Sequence, residues 1–192
     1  MRFGIYSELQ CSPAQSATDV FKQAMTLAEH ADNAGLDFYG TVEHHFYPRF
    51  SICADPLALY SAIAQRTSRI NFRTMCHVVS LHNALALAGQ IAQADVLCGG
   101  RLECGVGRGH GWLFLPGEAT DLPMEETQSR YEEGVEILMK AWQNGSMSYE
   151  GKHYQCTDLN VVPKPIQATI PMYTAGTGTT QLDRAARLGW GL

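Results

Sequence analysis

Long apolar runs are missing from this chain. No stretch approaches the ~20 residues that a membrane-spanning helix requires, so no membrane association is expected. A basic excess is missing too. Fourteen Lys and Arg face nineteen Asp and Glu, a net charge of -5 without a basic stripe, which argues against nucleic acid as a partner. The N-terminus runs straight into Arg2-Phe-Gly-Ile-Tyr6 and lacks a signal-peptide pattern. Cys11, Cys53, Cys76, Cys98, Cys104 and Cys156 include no C-x-x-C pair. In a chain of this length that favours free thiols in a reducing cytoplasm. Internal repeats and low-complexity segments are absent as well. What is present is a globular composition: 192 residues, 45% hydrophobic and 17% charged, enough for one sizeable core and at most two domains.

Short apolar runs alternate with helical patterns, the signature of a parallel α/β fold. Strands are predicted at 2–7, 38–42, 70–75, 102–107 and 170–174. Helices are predicted at 19–34, 56–66, 83–97, 124–143 and 180–187. Thr18 is the expected cap of the first helix and Gly35 its stop; Asp55-Pro56 opens the second. The first helix shows one apolar face, Val20, Phe21, Ala24, Met25, Leu27, Ala28, Ala31 and Ala34. The fourth shows a stripe of Tyr131, Val135, Leu138, Met139 and Trp142. Residues 147–167 read as a small hairpin excursion from a single domain. A sixth strand should begin at Gly189-Trp-Gly-Leu192. This is about five βα units, where a closed (β/α)₈ barrel needs eight and ~250 residues. An open doubly wound sheet could stop at five, but its phosphate loop should follow the first strand. Tyr6-Ser-Glu-Leu-Gln10 has no glycine there; the glycine loops follow the fourth and fifth strands.

Thr41-Val-Glu-His-His-Phe46 places a carboxylate, two imidazoles and a ring at the end of the second strand. Such groups are poor core material, costing ~1–3 kcal/mol each when buried unpaired, so a site is expected at that strand end. Strand alternation points adjacent side chains to opposite faces, which weakens a shared metal at His44 and His45. One imidazole should face a cavity, where a pKa near about 6.5 suits general-base work; for His45 a structural role is expected.

Glu103-Cys-Gly-Val-Gly-Arg-Gly-His-Gly-Trp112 has glycine at every second position from 105 to 111. That clears backbone for close approach of a ligand, with Arg108 as a donor fork suited to phosphate. Tyr173-Thr-Ala-Gly-Thr-Gly-Thr-Thr-Gln181 joins a strand to a helix through Gly176, Thr177, Gly178, Thr179 and Thr180. Free N–H groups and hydroxyls there make an anion cradle. A tight turn with a solvated Arg, or an ordinary capped turn, is the plain alternative for each. His77, His82 and His110 read as loop hydrogen-bonders, and Cys76 and Cys104 as inert small hydrophobes.

With these motifs in order the chain resembles the bacterial luciferase-like monooxygenases. The resemblance rests on Met1-Arg-Phe-Gly4, Ala34-Gly-Leu-Asp-Phe38, Glu43-His-His-Phe46, Ala54-Asp-Pro-Leu57, Leu81-His82, Gly99-Gly-Arg-Leu102, Gly105-Val-Gly-Arg-Gly109 and Pro171-Met-Tyr-Thr-Ala-Gly176, and it runs over nearly the whole chain. It implies a TIM (β/α)₈ barrel, of which this chain covers about the first five units. It implies an enzyme that uses reduced FMN and O₂, through a C4a-hydroperoxyflavin, to oxygenate a small aldehyde or ketone. An NAD(P)H:flavin reductase would supply the flavin, and a homodimer would form through helices 56–66 and 83–97. His44 matches the catalytic histidine, with Glu43 beside it. Arg108, Gly176, Thr177, Gly178 and Thr179 match the phosphate site. Met75 and Cys76 match a pair joined by a non-prolyl cis peptide under the flavin ring, and Gly107 completes the cofactor set. No metal is expected.

The chain departs from the family in places. Gly107 stands where luciferase has a reactive cysteine, and Gly178 replaces a frequent serine or acidic residue. The family is longer, so a fragment, a chain completed by a partner, or a shortened relative is expected. The competing readings are an F420-dependent oxidoreductase of the same fold, a non-catalytic flavin-binding accessory subunit, and a metal-dependent barrel hydrolase.

Overall fold

The computed structural model describes residues 1–109, 122–176 and 178–192. Strands and helices alternate: β1 (Gly4–Tyr6), α1 (Ala17–Asn33), β2 (Phe38–Thr41), α2 (Pro56–Ala64), β3 (Asn71–Thr74), β4 (His77–Val78), α3 (Ala84–Leu97), β5 (Leu102–Gly107), α4 (Thr127–Ala141), β6 (Met147–Glu150), β7 (Gln155–Leu159), β8 (Met172–Thr174) and α5 (Thr179–Leu188). The main sheet is parallel, ordered β1-β2-β3-β5, with β4 and β8 both paired to β5. Near the end of the chain Gly191 returns alongside Tyr173 in a parallel bridge. Among the described residues no ladder joins β1 to β8, so the closed barrel is not formed by them. β6 and β7 form the expected antiparallel hairpin.

Local chemistry sets the helix ends. α1 starts two residues earlier than its apolar pattern indicates. Ser16, not Thr18, is its cap: the Ser16 hydroxyl accepts from the Asp19 amide at 3.1 Å and donates to the Asp19 carboxylate at 2.7 Å. The helix ends at Gly35, whose φ of +86° suits a residue without a Cβ. Asp55 and Asn83 cap α2 and α3 through backbone amides two and three residues on. Three residues assigned to apolar stripes lie outside them: Leu27 on α1, Ala34 just past its end and Met139 on α4 are exposed. The contact faces of those helices are narrower than their apolar patterns.

One face of the sheet carries Tyr39, Phe72, Leu102, Cys104, Val106 and Met172 into the core against the helices. α3 is apolar on most sides because it lies between α2 and α4. Its buried Asp95 accepts from the Ile166 and Gln167 amides at 2.9 and 3.1 Å, fastening the segment that leads to β8.

The predicted strand over 70–75 is shorter, Asn71–Thr74, and then breaks. The Met75–Cys76 peptide is cis, as the family resemblance implies, and pairing resumes at His77–Val78 against β5. Two side chains pin these strand ends together. Buried Tyr60 accepts from the Thr41 amide at 2.8 Å and donates to the Arg73 carbonyl at 2.7 Å. Thr74 donates to the Gly105 carbonyl at 3.0 Å and accepts from the Gly105 amide at 2.7 Å.

Candidate active site

The segment after β2 turns outward and is tied back at its base. The His44 amide donates to the Cys53 carbonyl at 2.9 Å, closing the loop between them. The loop also leans on the segment after β1, through Ile52 to Leu9 and Cys11 to Pro48 at 2.8 Å each. His44 is 4% exposed, and its ring lies tilted against Phe50 with centroids 4.6 Å apart. Burial, and secondarily the charge of neighbouring His45, lowers its pKa below the ordinary imidazole value. A neutral imidazole at neutral pH can accept a proton.

Glu43 is the hub of this strand end. It is 1% exposed, yet its carboxylate is fully engaged. The His45 Nε2 lies 2.7 Å from Oε1, the His82 Nε2 lies 2.9 and 3.0 Å from the two oxygens, and the Val78 amide donates to Oε2 at 2.9 Å. The His77 Nδ1 sits 3.5 Å away. An ionised carboxylate only accepts. Both close imidazoles therefore carry their proton on Nε2. Burial disfavours the Glu43 charge, but the hydrogen bonds from His45, His77 and His82 outweigh it and hold the carboxyl well below its usual range. Burial likewise opposes charge on His82, and the hydrogen bond and field of Glu43 outweigh it, raising that pKa.

The sequence singled out Glu43 and His45 in one motif and His77 and His82 apart from it; the structure brings the three imidazoles to one carboxylate. The available signal was the spacing of Glu43 and His45, which shares one side of an extended segment. That His77 and His82 converge on it depends on the break at 75–76, which no periodicity reveals. Among the described residues no group of three His, Cys, Asp or Glu side chains is arranged to hold a metal ion.

The glycine positions lie on the neighbouring strands of the same rim. A Cβ on Gly105 would collide with the Thr74 carbonyl oxygen, and one on Gly107 with the Cys76 Sγ. Gly107 is buried, whereas Met75 is 39% exposed with its Sδ packed over Gly40. Arg108 follows at the carboxyl end of β5 and is exposed; its carbonyl accepts from the Ser80 hydroxyl at 2.6 Å. After β8 the chain passes exposed Gly176 and reaches Gly178, the cap residue of α5, and Thr179, its first residue. No side-chain hydrogen bond caps this helix start. Thr177, His110, Gly111 and Trp112 lie outside the described residues.

A second polar group, not anticipated from the sequence, lies on the face of the sheet opposite the helices. Arg73 donates to Glu103 at 2.7 Å and to the Tyr173 hydroxyl at 2.8 Å. Its guanidinium lies 3.9 Å from the ring centroids of both Phe38 and Tyr173. Arg2 pairs with the same Glu103 carboxylate.

The profile of a family described as luciferase-like monooxygenase matches residues 1–192. An uncharacterized protein of Sinorhizobium fredii, y4wF, is 32% identical over 188 residues, 97% of this chain and 53% of the relative. The oxygenase component of a flavin-dependent trigonelline monooxygenase from Acinetobacter baylyi is 24% identical, over 89% of this chain and 47% of that protein. An F420-dependent glucose-6-phosphate dehydrogenase of Segniliparus rotundus is 31% identical, over 84% and 49%. Among solved structures, the monooxygenase RslO1 of Streptomyces bottropensis superposes with a TM-score of 0.91 at 30% identity, covering all of this chain and 58% of that one. The chain spans about half the length of the curated relatives it matches.

Proposed function

Because this chain belongs to the luciferase-like monooxygenase family, we propose that it is the amino-terminal part of a barrel that uses reduced FMN and O₂ to oxygenate a small aldehyde or ketone. The observation that carries this reading is the shared rim: His44, the Met75–Cys76 pair, Gly107, Arg108 and the loop before α5 follow adjacent parallel strands in one sheet. The strand–helix pairs represent the first five units of the eight.

The residues present fit a phosphorylated flavin. Arg108 supplies a cation, and Gly178 and Thr179 supply backbone donors at a helix start without a side-chain cap. Gly107 and the Met75–Cys76 segment offer a surface for the planar ring. When bound, reduced flavin supplies the electrons that activate O₂ for transfer of one oxygen atom. The chain's own contribution is at His44 and Glu43. His44, buried and with a lowered pKa, would take or return a proton at a ring nitrogen. Glu43 is assigned a positioning role rather than a direct catalytic one, because both of its oxygens are spent on His45, His82 and Val78.

An NAD(P)H:flavin reductase would supply the cofactor, a reading supported by the relative named as an oxygenase component. The six cysteines are free, in keeping with a reducing cytoplasm. A homodimer would use the groove between α2 and α3, lined by Ala58, Ser61, Gln90, Gln93 and Leu97. Elution volume of the intact protein checks that assembly.

Titration of the intact protein with reduced FMN tests the phosphate assignment. Arg108→Ala is expected to weaken binding about tenfold or more, from loss of charge-assisted hydrogen bonds worth ~1.5–3 kcal/mol. Equal affinities would remove Arg108 from the site. The likeness to F420-dependent dehydrogenases favours a second reading, hydride transfer with F420; turnover with each reduced cofactor separates the two.

A further inference from the structure

Two groups beside His44 have no part in the flavin reading: the Tyr6 hydroxyl and the Glu8 carboxylate. β1 and β2 pair in parallel with Tyr6 opposite Gly40, and the Ser7 amide extends the ladder by donating to the Gly40 carbonyl at 2.9 Å. Tyr39 packs into the core against the helices, so Tyr6 and Gly40 face the other side of the sheet, where the Met75 Sδ covers Gly40. Side chains two apart along an extended chain share a face. Glu8 follows Tyr6 by two residues, and His44 follows Gly40 by four. The Tyr6 hydroxyl donates to Glu8 Oε1 at 3.5 Å, which keeps the two on one side. The bonds from Ile52 to Leu9 and from Cys11 to Pro48 hold the Glu8 segment against the loop that begins at His44. Burial and His45 lower the His44 pKa and the Glu8 charge opposes them, as a carboxylate close to that ring does.

Glu8 is partly buried and its charge is unanswered. An ionised carboxylate offers about four acceptor positions. Among the described residues Glu8 receives the Tyr6 hydroxyl and, at 3.3 Å, the Gln10 side-chain amide; both donors are neutral and both bonds are long. The cations of this region are engaged or placed elsewhere. Arg2 and Arg73 are taken by Glu103. Arg49, on the adjoining loop, is exposed and makes no ion pair among the described residues. Arg108 follows β5, three strands from β1, hence roughly 14 Å away at ~4.8 Å per strand. Burial, and then the Glu8 charge, push the Tyr6 hydroxyl up to about 12, so it stays protonated and turned to Glu8 while the side chain is 43% exposed. An unpaired carboxylate beside an accessible aromatic ring is a receptor for a cation. We infer that Glu8 and Tyr6 determine the specificity of the oxygenation site, and that its substrate is a carbonyl compound carrying a positively charged nitrogen. The nitrogen lies between the Glu8 carboxylate and the Tyr6 ring, with the carbonyl carbon directed toward His44. This substrate class belongs to the proposed flavin site and rests on that reading.

Acetonyltrimethylammonium and its uncharged isostere, methyl neopentyl ketone, differ only in a charged nitrogen for a carbon. Calorimetric titration of the intact protein with each, with and without FMN, reads the preference as a ratio of affinities. The charged ketone is expected to bind about tenfold or more tighter, the scale of one unit charge within ~8 Å at an effective dielectric near 20 once desolvation is subtracted. Glu8→Gln should erase that ratio while leaving the affinities for methyl neopentyl ketone and for FMN within twofold. Tyr6→Leu should lower the ratio by about threefold, the smaller share of a ring face. Glu8→Asp keeps the charge on a shorter arm and should retain part of the ratio, which tests the point even if Glu8→Gln fails to fold. A wild-type protein that binds the two ketones equally, or binds neither, overturns the inference, as does a ratio that survives Glu8→Gln. If FMN binds and the ratio is absent, the flavin reading stands and the cationic substrate falls. If the ratio depends on Glu8 but neither oxidised nor reduced FMN binds, the flavin reading falls instead.

Discussion

Glu43→Ala is expected to lower stability by about 3 kcal/mol or more and to abolish turnover. The carboxylate is buried and joins three chain segments: its own loop through His45, the end of β4 through Val78, and the turn before α3 through His82. Removing it orphans a buried amide and two imidazole N–H groups at once, at ~1–3 kcal/mol for each group left without a partner. Breaking a buried charged network by deleting one member costs ~3–5 kcal/mol. Glu43→Gln keeps the shape but presents an amide donor to other donors, so it should recover only part of the loss. Denaturant unfolding reads the stability. Addition of imidazole or acetate, without recovery of turnover, would mark the effect on His44 as one of placement. A Glu43→Ala protein of wild-type stability would mean the hub is not a joint.

The same cluster predicts how stability changes with pH. Glu43 has a depressed pKa in the fold, so its contribution is present above the unfolded Glu value of ~4.3 and is lost as pH falls through the folded value. His82 has a raised pKa, so its contribution is complete below the unfolded value of ~6.5 and is lost as pH rises through the folded one. The two together contribute most between about pH 4.3 and 6.5. His44 acts in the opposite sense, since its lowered pKa adds stability as pH rises. The wild-type curve mixes these slopes, but the difference between wild type and His82→Gln isolates one of them. That difference should shrink as pH rises from about 6 toward 9. A difference that stays constant would mean His82 is neutral in the fold.

Most of the architecture was legible because it depends on local chemistry. Asp55-Pro56 and Gly35 are punctuation that tertiary context had no reason to override, and the strand of residues 102–107 was readable to the residue. The misplacements have physical causes. Ser16 outcompeted Thr18 because Asp19 sits three residues beyond it and reciprocates the bond. The strand β4 was invisible because two residues after a break carry no periodicity. At the site, residue types announced themselves, since Glu and His at a strand end are costly without a purpose. Their partners did not, because His82 and Glu43 lie 39 residues apart and meet only when β2 and β3 are in register and the chain turns at 75–76. Arg73 and Glu103 were hidden for the same reason. Each reads alone as an ordinary charge in a strand, and only the pairing of Arg73 with Glu103 puts them side by side.

Gly105→Ala is expected to destabilise the protein by more than the ~1–3 kcal/mol typical of overpacking, whereas Gly107→Ala should be milder and correctable. The difference lies in what each new methyl meets. At Gly105 the obstacle is the Thr74 carbonyl, part of the backbone of β3, which cannot rotate away. Relief would require β3 and β5 to separate, and the two Thr74 hydrogen bonds to Gly105 would stretch or break with them. At Gly107 the obstacle is the Cys76 sulfur, a side-chain atom. Removing that sulfur with Cys76→Ala should restore most of the stability lost in Gly107→Ala. A double-mutant cycle would then show a coupling near 1–2 kcal/mol. Gly105→Ala should gain nothing from Cys76→Ala. Unfolding midpoints of wild type, the three single variants and the two double variants test this, and equal costs at the two glycines would sink it. The contrast also separates two demands on a motif that reads as one. Gly105 is required by the sheet itself, while Gly107 leaves the fold a choice between a methyl and a thiol. In the proposed site that choice is made next to the flavin ring, so the Gly107→Ala, Cys76→Ala protein should fold well and still bind reduced FMN differently.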